Sequence, residues 1–152
     1  MDVTSLVAHQ LKYLYKKTPL PDGKFDWLPI LPAQVGRSTN LTSPFEAIVD
    51  SGSFDCLFHA DIARAVGIKD ITTGVLKTSG GVVGGAQMQT YGHEVRLIVG
   101  SDNFKNEAYF AENLPIAALL GRNGFFDKYI VTFDPQGATP GFDLTRVHQT
   151  KK

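Results

Sequence analysis

Ala47-Ile48-Val49-Asp50-Ser51-Gly52-Ser53 is the stretch that decides how this chain folds. Three apolar residues, two of them β-branched, run straight into an aspartate, a hydroxyl residue and a glycine. Such a run reads as a buried strand, so the carboxylate is delivered at a strand's end. Gly52 lets the backbone turn sharply and brings its N–H groups toward that carboxylate, while the Ser51 hydroxyl can bond within the turn and stiffen it. A partly desolvated carboxylate has its pKa set by its neighbours, which suits it to moving protons. Asp-Ser-Gly alone is also ordinary turn chemistry, so the functional reading depends on what accompanies it.

Two later segments accompany it. Ser79-Gly80-Gly81-Val82-Val83-Gly84-Gly85 places two glycine pairs around two valines and continues into apolar-alternating sequence. This is a poor strand but a good hairpin tip, able to close over an extended peptide and bond its backbone. No Lys-Ser/Thr follows it, so it is not a phosphate cradle. Further on, Ala117-Ala-Leu-Leu120-Gly121-Arg122-Asn123 predicts a short apolar strand that packs behind the Asp50 loop, with Arg122 supplying a fixed charge nearby.

Working outward, strands are expected at residues 30–35, 45–49, 88–99 and 108–110, each short, β-branched or aromatic, and bounded by Gly, Pro, Asn or Ser. In the longest, Val95, Leu97 and Val99 alternate with Glu94, Arg96 and Ile98, so one face points inward. His59–Val66 reads as about two helical turns stopped by Gly67, and residues 124–128 as one turn. Leu6, Val7, Leu11 and Leu14 recur at helical spacing, which predicts a helix over residues 1–17, broken by Thr18-Pro-Leu-Pro-Asp-Gly23.

Composition limits the function classes. The 152 residues hold 15 basic and 15 acidic side chains, so there is no net field for nucleic acid or an anionic membrane, and no local basic stripe replaces it. A single cysteine, Cys56, excludes an internal disulfide and a multi-cysteine zinc site. Cys56, His59 and His93 have no spacing that fixes a thiol–imidazole or metal geometry, and no metal or cofactor is expected. With no signal-like leader and no run of eighteen apolar residues, the expected setting is cytoplasmic.

The three segments in this order resemble the retropepsins, the aspartic proteases of retroviruses and their cellular and bacterial relatives. The likeness rests on Ile48-Val-Asp50-Ser-Gly52, Gly80-Gly-Val-Val-Gly-Gly85 and Leu119-Leu-Gly-Arg-Asn123, and spans roughly Trp27 to Asp134. It implies an all-β acid-protease fold, a closed or partly open β-barrel with one or two short helices, here carrying the N-terminal helix as well. The expected organisation is an N-terminal helical extension over residues 1–24, a protease domain over 25–137 and a C-terminal tail over 138–152. It also implies an aspartic endopeptidase acting as a homodimer on a peptide or protein substrate, with Asp50, Ser51 and Gly52 catalytic. Since the chain holds only one such motif, two Asp50 carboxylates, one per subunit, would activate the water. Ser53, Phe54, Asp55, Gly81, Val82, Val83, Gly84 and Gly85 would contact substrate, and Leu120, Gly121, Arg122 and Asn123 would support the loop. Ile48, Val82, Val83 and Leu119 are the expected apolar pocket walls. The alternative is a catalytically silent module that keeps the fold for dimerisation or peptide binding.

One departure bears on the site. Viral members carry an aspartate where this chain has Phe54, and that aspartate pairs with the arginine of Gly-Arg-Asn. Here Phe54 is expected to border a pocket and Arg122 to turn to Asp55.

Overall fold

Alternating burial along short strands sets the architecture. The computed structural model describes residues 10–80 and 87–147. Three short strands come first, β1 (Gln10–Leu14), β2 (Lys16–Pro19) and β3 (Phe25–Leu28). They are followed by β4 (Ile30–Arg37), β5 (Asn40–Leu41) and β6 (Phe45–Val49). Next, β7 (Leu57–His59) leads into helix α1 (Ala60–Ala65) and a single 3₁₀ turn at Ile71–Thr73. The second half holds β8 (Val75–Gly80), β9 (Gln87–Val99), β10 (Asp102–Ala111), β11 (Ala118–Leu120), β12 (Tyr129–Asp134) and β13 (Gly141–Arg146).

The main sheet runs β5-β4-β6-β11-β7-β10-β9-β8, and an added β4–β9 pairing closes six of these strands into a barrel. Closure removes the exposed edges that an open sheet would present. Val95, Leu97 and Val99 of β9 point inward, as their period of two predicts, and meet Leu31, Val35, Ala47, Phe58, Phe110 and Leu120 in the core. The Phe58 and Phe110 rings pack against each other at 5.7 Å between centroids, tilted by 36°. The helix expected near His59–Val66 is α1. His59 caps it by accepting the Asp61 N–H, and Gly67 ends it at a φ of +86°, where a side chain would be strained. Residues 124–128 form overlapping hydrogen-bonded turns in place of a regular helix. Among the described residues no helix is long and apolar enough to cross a membrane.

The N-terminal helix is corrected over its described part. Residues 10–14 are a strand in which Leu11 and Tyr13 face the core and Lys12 and Leu14 face out, Leu14 being 68% exposed. Leu11 lies opposite Leu144 and Tyr13 opposite Phe142 of β13, and the two rings stack at 5.5 Å. Alternation satisfied by a distant strand outweighs a local helical spacing. Residues 1–9 lie outside the described residues. Past residue 138, β13 is the middle strand of a sheet ordered β1-β13-β12, with Phe142 and Leu144 buried.

Candidate active site

The site grows out of one parallel pairing. β6 and β11 run side by side with Ala47 opposite Ala118, Ile48 opposite Leu119 and Val49 opposite Leu120. The pairing continues past the strand end, where the Asp50 N–H donates to the Leu120 carbonyl at 3.0 Å. Asp50 therefore leaves the barrel at a fixed point, its backbone held by the core strand beside it.

The following loop folds back on its own carboxylate. The Gly52 N–H donates to Asp50 Oδ1 at 2.8 Å, and the Ser53 N–H donates to the Asp50 carbonyl at 3.2 Å. Within the loop it is the Ser53 hydroxyl that bonds, donating to the Asp55 carbonyl at 2.7 Å, while Ser51 is exposed. Asp50 is half-buried, with solvent on one side and the barrel end on the other.

The Gly-Arg-Asn segment crosses this loop from behind. The Arg122 N–H donates to the Ser53 carbonyl at 2.9 Å and the Asn123 N–H to the Phe54 carbonyl at 2.8 Å. The crossing is so close that a Cβ on Gly121 would sit 2.3 Å from the Asp55 carbonyl oxygen, so only glycine fits there. Leu120 is fully buried beneath it.

The charges are arranged differently from the sequence expectation. Arg122 does not turn to Asp55. Its guanidinium lies 4.2 Å from the centre of the Phe54 ring, a cation–π contact at the surface. Asp55 is 6% exposed and accepts from Lys77 Nζ at 2.5 Å and from Asn123 Nδ2 at 3.2 Å. The reason is direction. Asp55 is bridged to Asn123 strand-fashion, which turns its side chain inward toward β8. The Asp55 bond raises the Lys77 pKa above its ordinary value, against a smaller opposing effect of burial. Next to this pair, Cys56 is fully buried, and desolvation pushes its thiol up to about 11, which removes it as a nucleophile.

A cavity of about 410 Å³ opens beside Asp50. Gly52, Ser53, Phe54 and Asp55 form its floor, Leu57, Leu114 and Leu119 one wall, and Lys77, Thr78, Ser79 and Met88 the other. Of the pocket residues expected from sequence, Phe54 and Leu119 line it and Ile48 does not. Gly81, Val82, Val83, Gly84 and Gly85 lie outside the described residues. The strands leading into and out of them are β8 and β9, paired from Val75–Gly92 to Gly80–Gln87. Lys77, Thr78, Ser79 and Met88 escape a reading that stops at the glycines. Their signal was adjacency, since the strands on either side of the glycines, β8 and β9, both border the cavity.

The architecture has a solved counterpart. A retropepsin-like aspartic protease from Rickettsia conorii matches over 91% of this chain and 94% of its own, at a TM-score of 0.56 and 19% identity. The fold is retropepsin-like. Two further structures align: EIAV protease complexed with an inhibitor, at a TM-score of 0.45 and 18% identity over 62% of this chain and 82% of its own. The retroviral protease-like domain of Ddi1 from Leishmania major aligns at 0.49 and 16% over 68% and 79%. No family model and no curated protein matches the chain. The retropepsin-like barrel thus carries its Asp-Ser-Gly turn at the mouth of an open, mainly apolar cavity.

Proposed function

We propose that this chain is one half of an aspartic endopeptidase, in which two copies each contribute Asp50. The observation that carries this reading is the setting of Asp50. Its carboxylate is held by the Gly52 N–H at the end of a buried strand and faces a cavity walled by Leu57, Met88, Leu114 and Leu119. A peptide lying there in extended form would pass directly over the carboxylate, with apolar side chains in the cavity.

The chemistry requires a second carboxylate, and the chain has one Asp-Ser-Gly. Two Asp50 side chains brought close share one proton, because like charges at short range cannot both ionise, as in the aspartic proteases generally. The ionised member takes a proton from water as it attacks the scissile carbonyl, and the protonated member donates to the carbonyl oxygen. On collapse, the proton now held by the first carboxylate passes to the leaving amine. Gly52 holds the Asp50 carboxylate from within its own loop, and the exposed Ser51 would bond across the axis to the partner's loop. Gly81 to Gly85 would contact the substrate, and Lys77, bonded to Asp55, ties β8 to the floor of the cleft.

The test is cleavage of a peptide library by the wild type and by Asp50→Asn, across acid to neutral pH, read by mass spectrometry. Cuts by the wild type alone, with apolar residues flanking the scissile bond, are expected. A dimeric wild-type protein that cuts nothing at any pH refutes the enzyme reading and leaves a peptide-binding or dimerisation module.

A further inference from the structure

The cavity beside Asp50 is walled mainly by apolar side chains, yet its lining includes one ion pair, Asp55 with Lys77. The two members differ in access. The Asp55 side chain is 7% exposed and accepts from Asn123 Nδ2 as well as from the ammonium, whereas the Lys77 side chain is 43% exposed. The pair is held from outside the cavity. Tyr109, which is not part of the lining, has its ring centre 4.9 Å from Lys77 Nζ, and its hydroxyl donates to Glu107 at 3.2 Å. Asp55 is bridged strand-fashion to Asn123. A group braced in this way offers its remaining donors at a set position.

Donor arithmetic decides what those donors take. An ammonium has three N–H donors and no acceptor, and among the described residues the one hydrogen-bond partner of Lys77 Nζ is Asp55. An apolar substrate side chain laid against the others would strip their water and return no hydrogen bond. A carboxylate would find the ammonium's charge already answered and would stand close to Asp55, a second carboxylate. A cationic side chain would meet Lys77 itself. What fits is an uncharged acceptor on an apolar stem. The carboxamide of glutamine or asparagine is that group, its carbonyl oxygen accepting from Lys77 and its methylenes lying among Leu57, Met88 and Leu119. At about 410 Å³ the cavity is of a size that encloses a whole small ligand, so an apolar neighbour on the substrate has room beside it.

Resting on the endopeptidase reading above, we propose that the Asp55–Lys77 pair is a specificity determinant, which selects a carboxamide side chain close to the scissile bond. Two copies about a two-fold axis carry two such pairs, so the selection falls at equal distances on either side of the bond.

The test is competition among peptides that carry Leu, Gln, Asn, Glu or Lys at one position at a time around the cut. They are incubated with the wild type, Lys77→Met and Asp55→Asn, and cleavage is read by mass spectrometry. The wild type is expected to cut the better of the Gln and Asn peptides about tenfold faster than the Leu, Glu and Lys peptides, at one position on each side. Lys77→Met leaves the Asp55 charge unanswered, so the preference at those positions passes to Lys. Asp55→Asn frees the Lys77 charge, and the preference passes to Glu. A purely structural pair would slow every peptide by one factor and keep their order. That result, or a wild type that ranks Leu first throughout, overturns the specificity role and leaves the protease standing. Lys77 is exposed, so Lys77→Met decides the matter if circular dichroism shows Asp55→Asn unfolded. A wild type that cuts no peptide overturns the endopeptidase reading and this one with it.

Discussion

Gly121→Ala tests whether the crossing behind the Asp50 loop holds this site together. The added methyl would lie 2.3 Å from the Asp55 carbonyl oxygen and 2.7 Å from that of Ser53, where ordinary contact begins at 3.4 Å. Both obstacles are backbone, so neither can swing aside as a side chain would. Clearing the clash requires a separation of about 1 Å between the two segments. The Arg122-to-Ser53 and Asn123-to-Phe54 bonds, at 2.9 and 2.8 Å, do not survive that movement. Two lost hydrogen bonds cost about 1 kcal/mol each and the overpacking about 1–3 kcal/mol, giving a destabilisation of roughly 3–5 kcal/mol. For a domain of this size that lowers Tm by about 10 °C. Gly36→Ala is the matched control, because the methyl there meets side-chain ends alone, Arg96 Nη2 at 3.3 Å and Ile98 Cδ1 at 3.5 Å, which can yield. The assay is thermal unfolding of the three proteins followed by circular dichroism. Entropy alone would make Gly→Ala slightly stabilising, by ~0.4–1 kcal/mol. A Gly121→Ala protein that melts within about 2 °C of wild type therefore refutes the proposed tightness of the crossing.

Two other groups give predictions of their own. Tyr129 is buried and donates to Asp102 Oδ2 at 2.5 Å; burial first, and that bond second, raise its pKa well above the ordinary value of 10.0. The folded state then keeps a proton that the unfolded chain releases, so stability is full below pH 10 and falls above it, by up to about 1.4 kcal/mol per pH unit. Urea unfolding of Tyr129→Phe as a function of pH is expected to show a shallower alkaline decline than wild type. Cys56, buried with its thiol raised to about 11, is expected to ignore a chromogenic disulfide reagent at neutral pH and to react fully in denaturant. Rapid reaction of the native protein would contradict its placement.

The barrel was legible where burial leaves a period of two. Val95, Leu97 and Val99 alternate in sequence and are all buried, and Ala47–Val49 reads as a core strand because it is one. Leu11, Tyr13 and Tyr15 also alternate, all packed against the core, yet Leu6, Val7, Leu11 and Leu14 fit a helical stripe equally well. What decides between the two is β13, more than a hundred residues away, and no local window contains it. Phe142 and Leu144 carry the same alternation, which a reading of residues 138–152 as a tail passes over. Of the site, the approach of Gly52 to Asp50 and of the Gly-Arg-Asn segment to the loop followed from strand ends and glycines. The fate of the charges did not, because it depends on which way side chains point after the turn.

That direction has a consequence for how the cleft is built. With phenylalanine at position 54 and aspartate at 55, the carboxylate is displaced by one residue from its place in the viral pattern. Successive residues along an extended segment face opposite sides. The charge therefore moves from the outer face, where Arg122 waits, to the inner face, where Asn123 and Lys77 meet it. A carboxylate only 6% exposed needs that cation, since a buried charge without a partner is costly. Lys77 can supply it because β8 passes beside the loop. One shift along the chain thus gives a link from the floor of the cleft to β8. The same shift leaves Arg122 stacked on Phe54 with its charge unanswered by any described residue of its own chain.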